Sequence, residues 1–160
     1  MESKKMSTNR SCFRRISHVA IVVKDLDKSL KFYRETLGCE LDGEILAVDD
    51  PGADDLNAIE HGRGQHRAAT LRCGYEEKSH LDLLCFEQPV GGAPVPSNHL
   101  GITHVGFWVD EMEAFYKDLS AKGVKFTCPP ISYEMGVYGG AMKIVRFYDP
   151  DGTMIEVYGK

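Results

Sequence analysis

Two stretches of this chain carry a histidine in matching surroundings, and two others carry a carboxylate inside an apolar run. His18 lies in Ile16-Ser17-His18-Val19-Ala20-Ile21-Val22-Val23, and His104 in Ile102-Thr103-His104-Val105-Gly106-Phe107-Trp108-Val109. Asp82 interrupts Leu81-Asp82-Leu83-Leu84-Cys85-Phe86, and Glu156 interrupts Ile155-Glu156-Val157 after the turn signal Asp149-Pro150-Asp151-Gly152. A carboxylate in a buried strand is costly unless something balances its charge. Two imidazoles and one or two carboxylates with open positions suit Zn(II), Ni(II), Co(II), Mn(II) or Fe(II). A lone strand histidine is ordinarily a satisfied core residue. Repetition of the whole pattern favours a metal site of His18, His104, Glu156 and Asp82.

Such a site needs elements that bring four distant residues together. Ile16–Val23 is a β-branched run of strand length. Asp25 offers a helix N-cap, Leu26, Leu30, Tyr33 and Leu37 recur on one helical face, and Gly38 ends it. The second stretch repeats this: Ile102–Val109, Asp110 and Glu113 at capping-box spacing, a stripe of Met112, Phe115, Tyr116 and Leu119, then Gly123. Ile16, His18, Val19 and Val23 match Ile102, His104, Val105 and Val109 at a constant offset of 86. The chain is therefore an internal duplication. Further strands are expected near Cys39–Leu41, Arg67–Cys73 and Ala141–Phe147, giving each half the order βαβββ.

Alternation assigns faces. Val19, Ile21 and Val23, with Val105, Phe107 and Val109, have the bulk to cover the helices. His18 and His104 then point away from them. Asp82 groups with Leu84 and Phe86, and Glu156 with Tyr158. Paired about a pseudo-twofold axis, the halves would gather the polar set in one concavity. Its walls would include Phe86, Trp108 and Tyr158. Arg146, grouped with Met142 and Ile144, is the best-placed cation for an anionic substrate among Arg63, Arg67, Lys143 and Arg146. His61, His66, His80 and His99 fall outside the repeat positions and read as exposed or structural.

Residues 1–15 read as a flexible tail without the apolar core of a secretory signal. Residues 16–160 read as one domain of two modules, 16–90 and 102–160, joined by the Pro/Gly-rich linker Glu87–Gly101. The body holds fourteen basic and twenty-three acidic residues, a net charge of −9, which argues against nucleic acid as a partner. No apolar run approaches membrane-spanning length. Five scattered cysteines without a Cys-x-x-Cys pair suit reduced thiols and a cytoplasmic setting. Asp49–His66, the linker and Cys128–Gly140 are candidate lids over the cavity.

The paired His-bearing strands and the closing Asp149-Pro150-Asp151-Gly152-x-x-x-Glu156 resemble the vicinal oxygen chelate (glyoxalase/bleomycin resistance/extradiol dioxygenase) superfamily over Ile16–Tyr158. The resemblance implies an α+β, glyoxalase-like fold in which two tandem βαβββ modules form a cupped mixed sheet around a divalent metal ion. It places His18, His104 and Glu156 on ligand positions. Asp82 falls on the fourth, where lyase members usually carry glutamate and epimerases often glutamine. It implies a homodimer and a small-molecule substrate. It also implies lyase or isomerase chemistry, with bidentate chelation of the substrate and Glu156, then Asp82, as the proton-transferring carboxylate. An Fe(II)-dependent dioxygenase is the alternative enzyme. Against it, the tyrosine and histidine that ring-cleaving members carry before the closing turn are replaced here by Arg146 and the Tyr138-Gly139-Gly140 region. A non-catalytic small-molecule-binding or resistance protein is the other alternative, and such proteins generally lack the metal ligands.

Overall fold

The computed structural model describes residues 15–49, 65–75, 80–87, 89, 97–98, 100–135 and 140–160. Residues 50–64, most of the linker, and His61, Arg63 and His99 lie outside the described residues. In the first half β1 (His18–Val22) leads into α1 (Leu26–Lys31), which continues as wider turns over Phe32–Thr36. Asp25 caps α1 by accepting from the Lys28 N–H at 3.0 Å. Leu26, Leu30 and Tyr33 are buried on its inner face. Gly38, at φ +80°, ends the helix in a conformation that side chains disfavour. Four strands follow: β2 (Glu40–Leu41), β3 (Leu46–Val48), β4 (His66–Arg72) and β5 (His80–Phe86).

The second half repeats the order with β6 (His104–Val109), α2 (Met112–Ala121), β7 (Ile131–Met135), β8 (Gly140–Tyr148) and β9 (Met154–Gly159). Each half makes its own sheet, ordered β1-β5-β4-β2 with β3 also on β4, and β6-β9-β8-β7. The registers coincide. In the parallel pair β1/β5, Ala20 lies opposite Asp82; in β6/β9, Gly106 lies opposite Glu156. The duplication thus extends to hydrogen-bonded pairing, not only to sequence.

The expected faces are the observed ones. Ile21, Val23, Leu81, Leu83, Val145, Phe147, Ile155 and Val157 are buried in one core beneath the helices, with Val19, Val105, Phe107 and Val109 packed against it. Phe147 holds this core together across the halves, its ring meeting Phe32 in the wider turns after α1 and Phe115 of α2 at 6.4 Å.

Contacts between the halves orient the two sheets. Just past β1, the Lys24 N–H donates to Asp151 Oδ2 at 3.1 Å, in the turn before β9. Beyond β4, the Tyr75 hydroxyl donates to Asp110 Oδ2 at 2.8 Å, just past β6. Because β5 starts beside the start of β1 and β9 beside the start of β6, these links tie the end of β1 to the start of the β6/β9 pair, and the start of the β1/β5 pair to the end of β6. The two mixed sheets are those expected of paired βαβββ modules. The Tyr33 hydroxyl donates to Asp149 Oδ2 at 3.0 Å in the interior, tying α1 to the closing turn. Burial, and then the neighbouring Asp149, push the Tyr33 phenol far above its ordinary range, so it stays a donor.

Several details depart from expectation. The first half has an extra strand, because Gly43 at φ +87° breaks the outer strand into β2 and β3. The capping box of α2 does not form: the N-cap is Glu111, without a side-chain bond. Asp110 is taken by Tyr75, and Glu113 pairs with Lys143 at 2.7 Å. Within the expected lid Cys128–Gly140, Ile131–Met135 is strand β7 on the sheet edge. Cys39 and Cys73 form a disulfide rather than remaining thiols. They flank the β2/β4 pair, where Glu40 faces Arg72. Among the described residues no helix is long and apolar enough to cross a membrane.

Candidate functional site

On the concave face the predicted side chains meet two by two. His18 Nε2 lies 3.9 Å from Asp82 Oδ2, and His104 Nε2 lies 3.3 Å from Glu156 Oε1. Among the described residues no three His, Cys, Asp or Glu side chains close on a common point. The two pairs occupy equivalent places on the two halves.

Each histidine is oriented from behind by the hydroxyl that precedes it. Ser17 Oγ lies 3.0 Å from His18 Nδ1, and Thr103 Oγ1 lies 2.9 Å from His104 Nδ1. When Nδ1 carries the proton and donates to that hydroxyl, the Nε2 lone pair is left facing the carboxylate. This is the arrangement a metal-ligating histidine needs. Ser17 and Thr103 escaped the reading of the sequence. The signal was present in the matched pairs Ser-His and Thr-His at the offset of 86.

The carboxylates differ. Glu156 is 1% exposed, and both its oxygens are engaged. The Arg146 guanidinium binds Oε2 through Nε and Nη2, and the Tyr158 hydroxyl donates to Oε1. Glu156 therefore finds its balancing charge in Arg146, directly opposite it in the β8/β9 pair. Among the described residues Asp82 has no such cation. Its cross-strand neighbour is Thr70, and among the described residues its Oδ1 is buried without a hydrogen-bond partner.

The expected pocket residues are partly gathered. Trp108 and Tyr158 are register neighbours with ring centroids 5.3 Å apart, forming an aromatic wall beside Glu156. Trp108 is half exposed on this face. Phe86 stacks on His66 at 4.6 Å, four residues beyond Asp82 at the far end of β5. His80 pairs with Asp42 at 2.9 Å outside the pseudo-symmetric set. Arg67 is tied to Asp27 and Lys143 to Glu113, so Arg146 is the one of these three that reaches the polar cluster. A depression of about 830 Å³ beside α1, lined by residues such as Leu30, Arg34 and Cys39, includes none of the cluster.

These residues fit a divalent metal by the chemistry of their donors. Two imidazoles present Nε2, and Asp82 Oδ1 is a buried anionic oxygen without a hydrogen-bond partner among the described residues. The comparisons agree in family. The chain is 33% identical to the lactoylglutathione lyase of Schizosaccharomyces pombe, over 94% of this chain and 49% of that protein, so it spans about half of that relative's length. It is 24% identical to the mitochondrial methylmalonyl-CoA epimerase of Mus musculus, over 89% of this chain and 71% of the relative. A solved glyoxalase family protein from Bacillus cereus superposes with a TM-score of 0.75 at 23% identity, covering 97% of this chain and 98% of that one. Residues 15–157 match one family in a single stretch, and by that match the chain belongs to the Glyoxalase/Bleomycin resistance protein/Dioxygenase superfamily.

Proposed function

We propose that this chain is a divalent-metal-dependent lyase or isomerase of the glyoxalase type, acting on a small oxygenated substrate by proton transfer. One observation carries the reading: two His–carboxylate pairs of identical register, each histidine backed by a hydroxyl, on one concave face. The names of its relatives, a lyase and an epimerase, point to the same class, since both chemistries turn on moving a proton.

His18, His104, Glu156 and Asp82 are the residues that would hold the metal. When bound, such an ion chelates neighbouring substrate oxygens and acidifies the adjacent C–H. The chain supplies the rest. Glu156 takes and returns the proton at a carboxylate oxygen shielded from bulk water, and Asp82 is the second candidate. The Tyr158 hydroxyl and the Ser17 and Thr103 hydroxyls hold the acid and the imidazoles in place. Trp108 and Tyr158 offer a flat wall for the substrate, and Arg146 a cation for an anionic group.

The test is metal analysis of protein purified without chelator, followed by turnover on hemithioacetals, acyl-CoA thioesters and catechols with Zn(II), Ni(II), Co(II), Mn(II) and Fe(II). Turnover of a hemithioacetal or a thioester is expected. Cleavage confined to catechols with Fe(II) would replace this reading with a dioxygenase. Failure to take up any of the five ions would replace it with a non-catalytic binding protein.

A further inference from the structure

We infer that Arg146 is the resident counter-ion of Glu156 in the metal-free protein, and that Glu156 exchanges this guanidinium for the metal on loading. The inference rests on the metal-binding reading above and adds a residue that governs it.

Glu156 is buried at 1% exposure, where an unpaired carboxylate is not tolerated. Arg146 meets it through two nitrogens on one oxygen, and Tyr158 occupies the other. Each carboxylate oxygen thus already carries a donor. Of these donors, the cation is the one that competes with a metal for the same charge.

Comparison between the halves shows that the arginine answers to Glu156 itself. At the places equivalent to Arg146 and Tyr158, the first half has Thr70 and Leu84, opposite and two residues beyond Asp82. Among the described residues Asp82 Oδ1 there has no hydrogen-bond partner. Its side chain is 23% exposed against 2% for Glu156. The more deeply buried acid is the one provided with a cation. Protonation cannot release Arg146, because a guanidinium stays charged across the working pH range. Its side chain is 41% exposed, so it can leave Glu156 for the open cup without unpacking the core. There it would face an anionic substrate, which ties the presentation of that cation to prior metal loading.

The experiment compares wild type with R146Q and R146K after chelation and dialysis. Ni(II) and Zn(II) affinities are measured by calorimetry, and melting temperatures with and without saturating metal. Without metal, R146Q is expected to melt about 5 °C lower, because one partner of a buried pair is gone. Its metal affinity is expected to rise about tenfold, because the competing cation is gone. The two saturated proteins are expected to melt closer together than the metal-free ones, with R146K nearer wild type throughout. If R146Q is unfolded without metal, recovery of the native circular-dichroism spectrum on adding Ni(II) supports the exchange, and failure to recover overturns it. Unchanged or weaker metal affinity in R146Q, or an equal loss of melting temperature in both states, assigns Arg146 a merely structural role. Wild type that takes up no metal overturns this inference and the proposed function together. Wild type that binds while R146Q fails to tighten overturns this inference alone.

Discussion

Tyr33→Phe tests the joint on which the shape of the cup depends. The Tyr33 hydroxyl is in the interior and donates at 3.0 Å to Asp149 Oδ2. Asp149 is 5% exposed, and its other oxygen already receives the N–H groups of Asp151 and Thr153 at 3.0 and 2.7 Å. Phenylalanine keeps the ring contacts and deletes one charge-assisted hydrogen bond, leaving Oδ2 poorly placed to recruit water. Such a bond contributes about 1.5–3 kcal/mol. The expected loss is about 2 kcal/mol, or roughly 4–8 °C in melting temperature for a chain of this size. The pH dependence adds a second signature. The phenol has a higher pKa folded than unfolded, so its contribution is complete below the unfolded value of about 10 and is lost as pH rises beyond it. Wild type should therefore lose stability on the alkaline side more steeply than Tyr33→Phe. Urea denaturation near neutrality and again above about pH 10 measures both. A loss under about 0.5 kcal/mol, or equal alkaline slopes, would refute the role given to this bond.

Two further expectations concern the site. Asp82→Asn should lower Ni(II) or Zn(II) affinity by about tenfold or more, while leaving the chelated protein at least as stable as wild type, since a poorly satisfied charge is removed. Calorimetry showing unchanged affinity would take Asp82 out of the ligand set. Thr103→Val and Ser17→Ala should each weaken metal binding by about tenfold through loss of imidazole orientation. Histidine-ring NMR in the metal-free proteins should show altered Nδ1 environments at His104 and His18. Matching spectra and affinities would leave those hydroxyls without a role.

The duplication was legible because two histidine-bearing strands repeat at a fixed offset. It set the sheet faces and the helix stripes, whereas the expected gathering of both histidines and both acids at one point appears as two separate His–carboxylate pairs. Arg146 was recognised as the cation nearest the cavity, yet its tie to Glu156 was missed. That tie follows from hairpin register: Tyr148 faces Met154 across the closing turn, so counting outward from Asp151 sets Arg146 opposite Glu156. Local turn chemistry held the answer. The Cys39–Cys73 bond is a different case. The cysteines extend the β2/β4 register, but thirty-four positions separate them. No local signal aligns strands so far apart in sequence. The α2 cap failed for a third reason. Asp110 and Glu113 have the right spacing, but both found partners from other elements that a sequence window does not contain.

Gly106 stands directly across from Glu156, exposed on edge strand β6, with Ala20 in the equivalent place opposite Asp82. Nothing in the packing demands a glycine there. A methyl group added at 106 would meet the Tyr158 ring at 3.6 Å, an ordinary contact, and its φ is not among the positive ones. The missing side chain leaves vacant volume over the carboxylate without being a condition of folding. Depth of the cup and stability of the chain are thus separate variables at this position, and residue 106 can set how closely a substrate's carbon skeleton descends toward Glu156 without altering the fold.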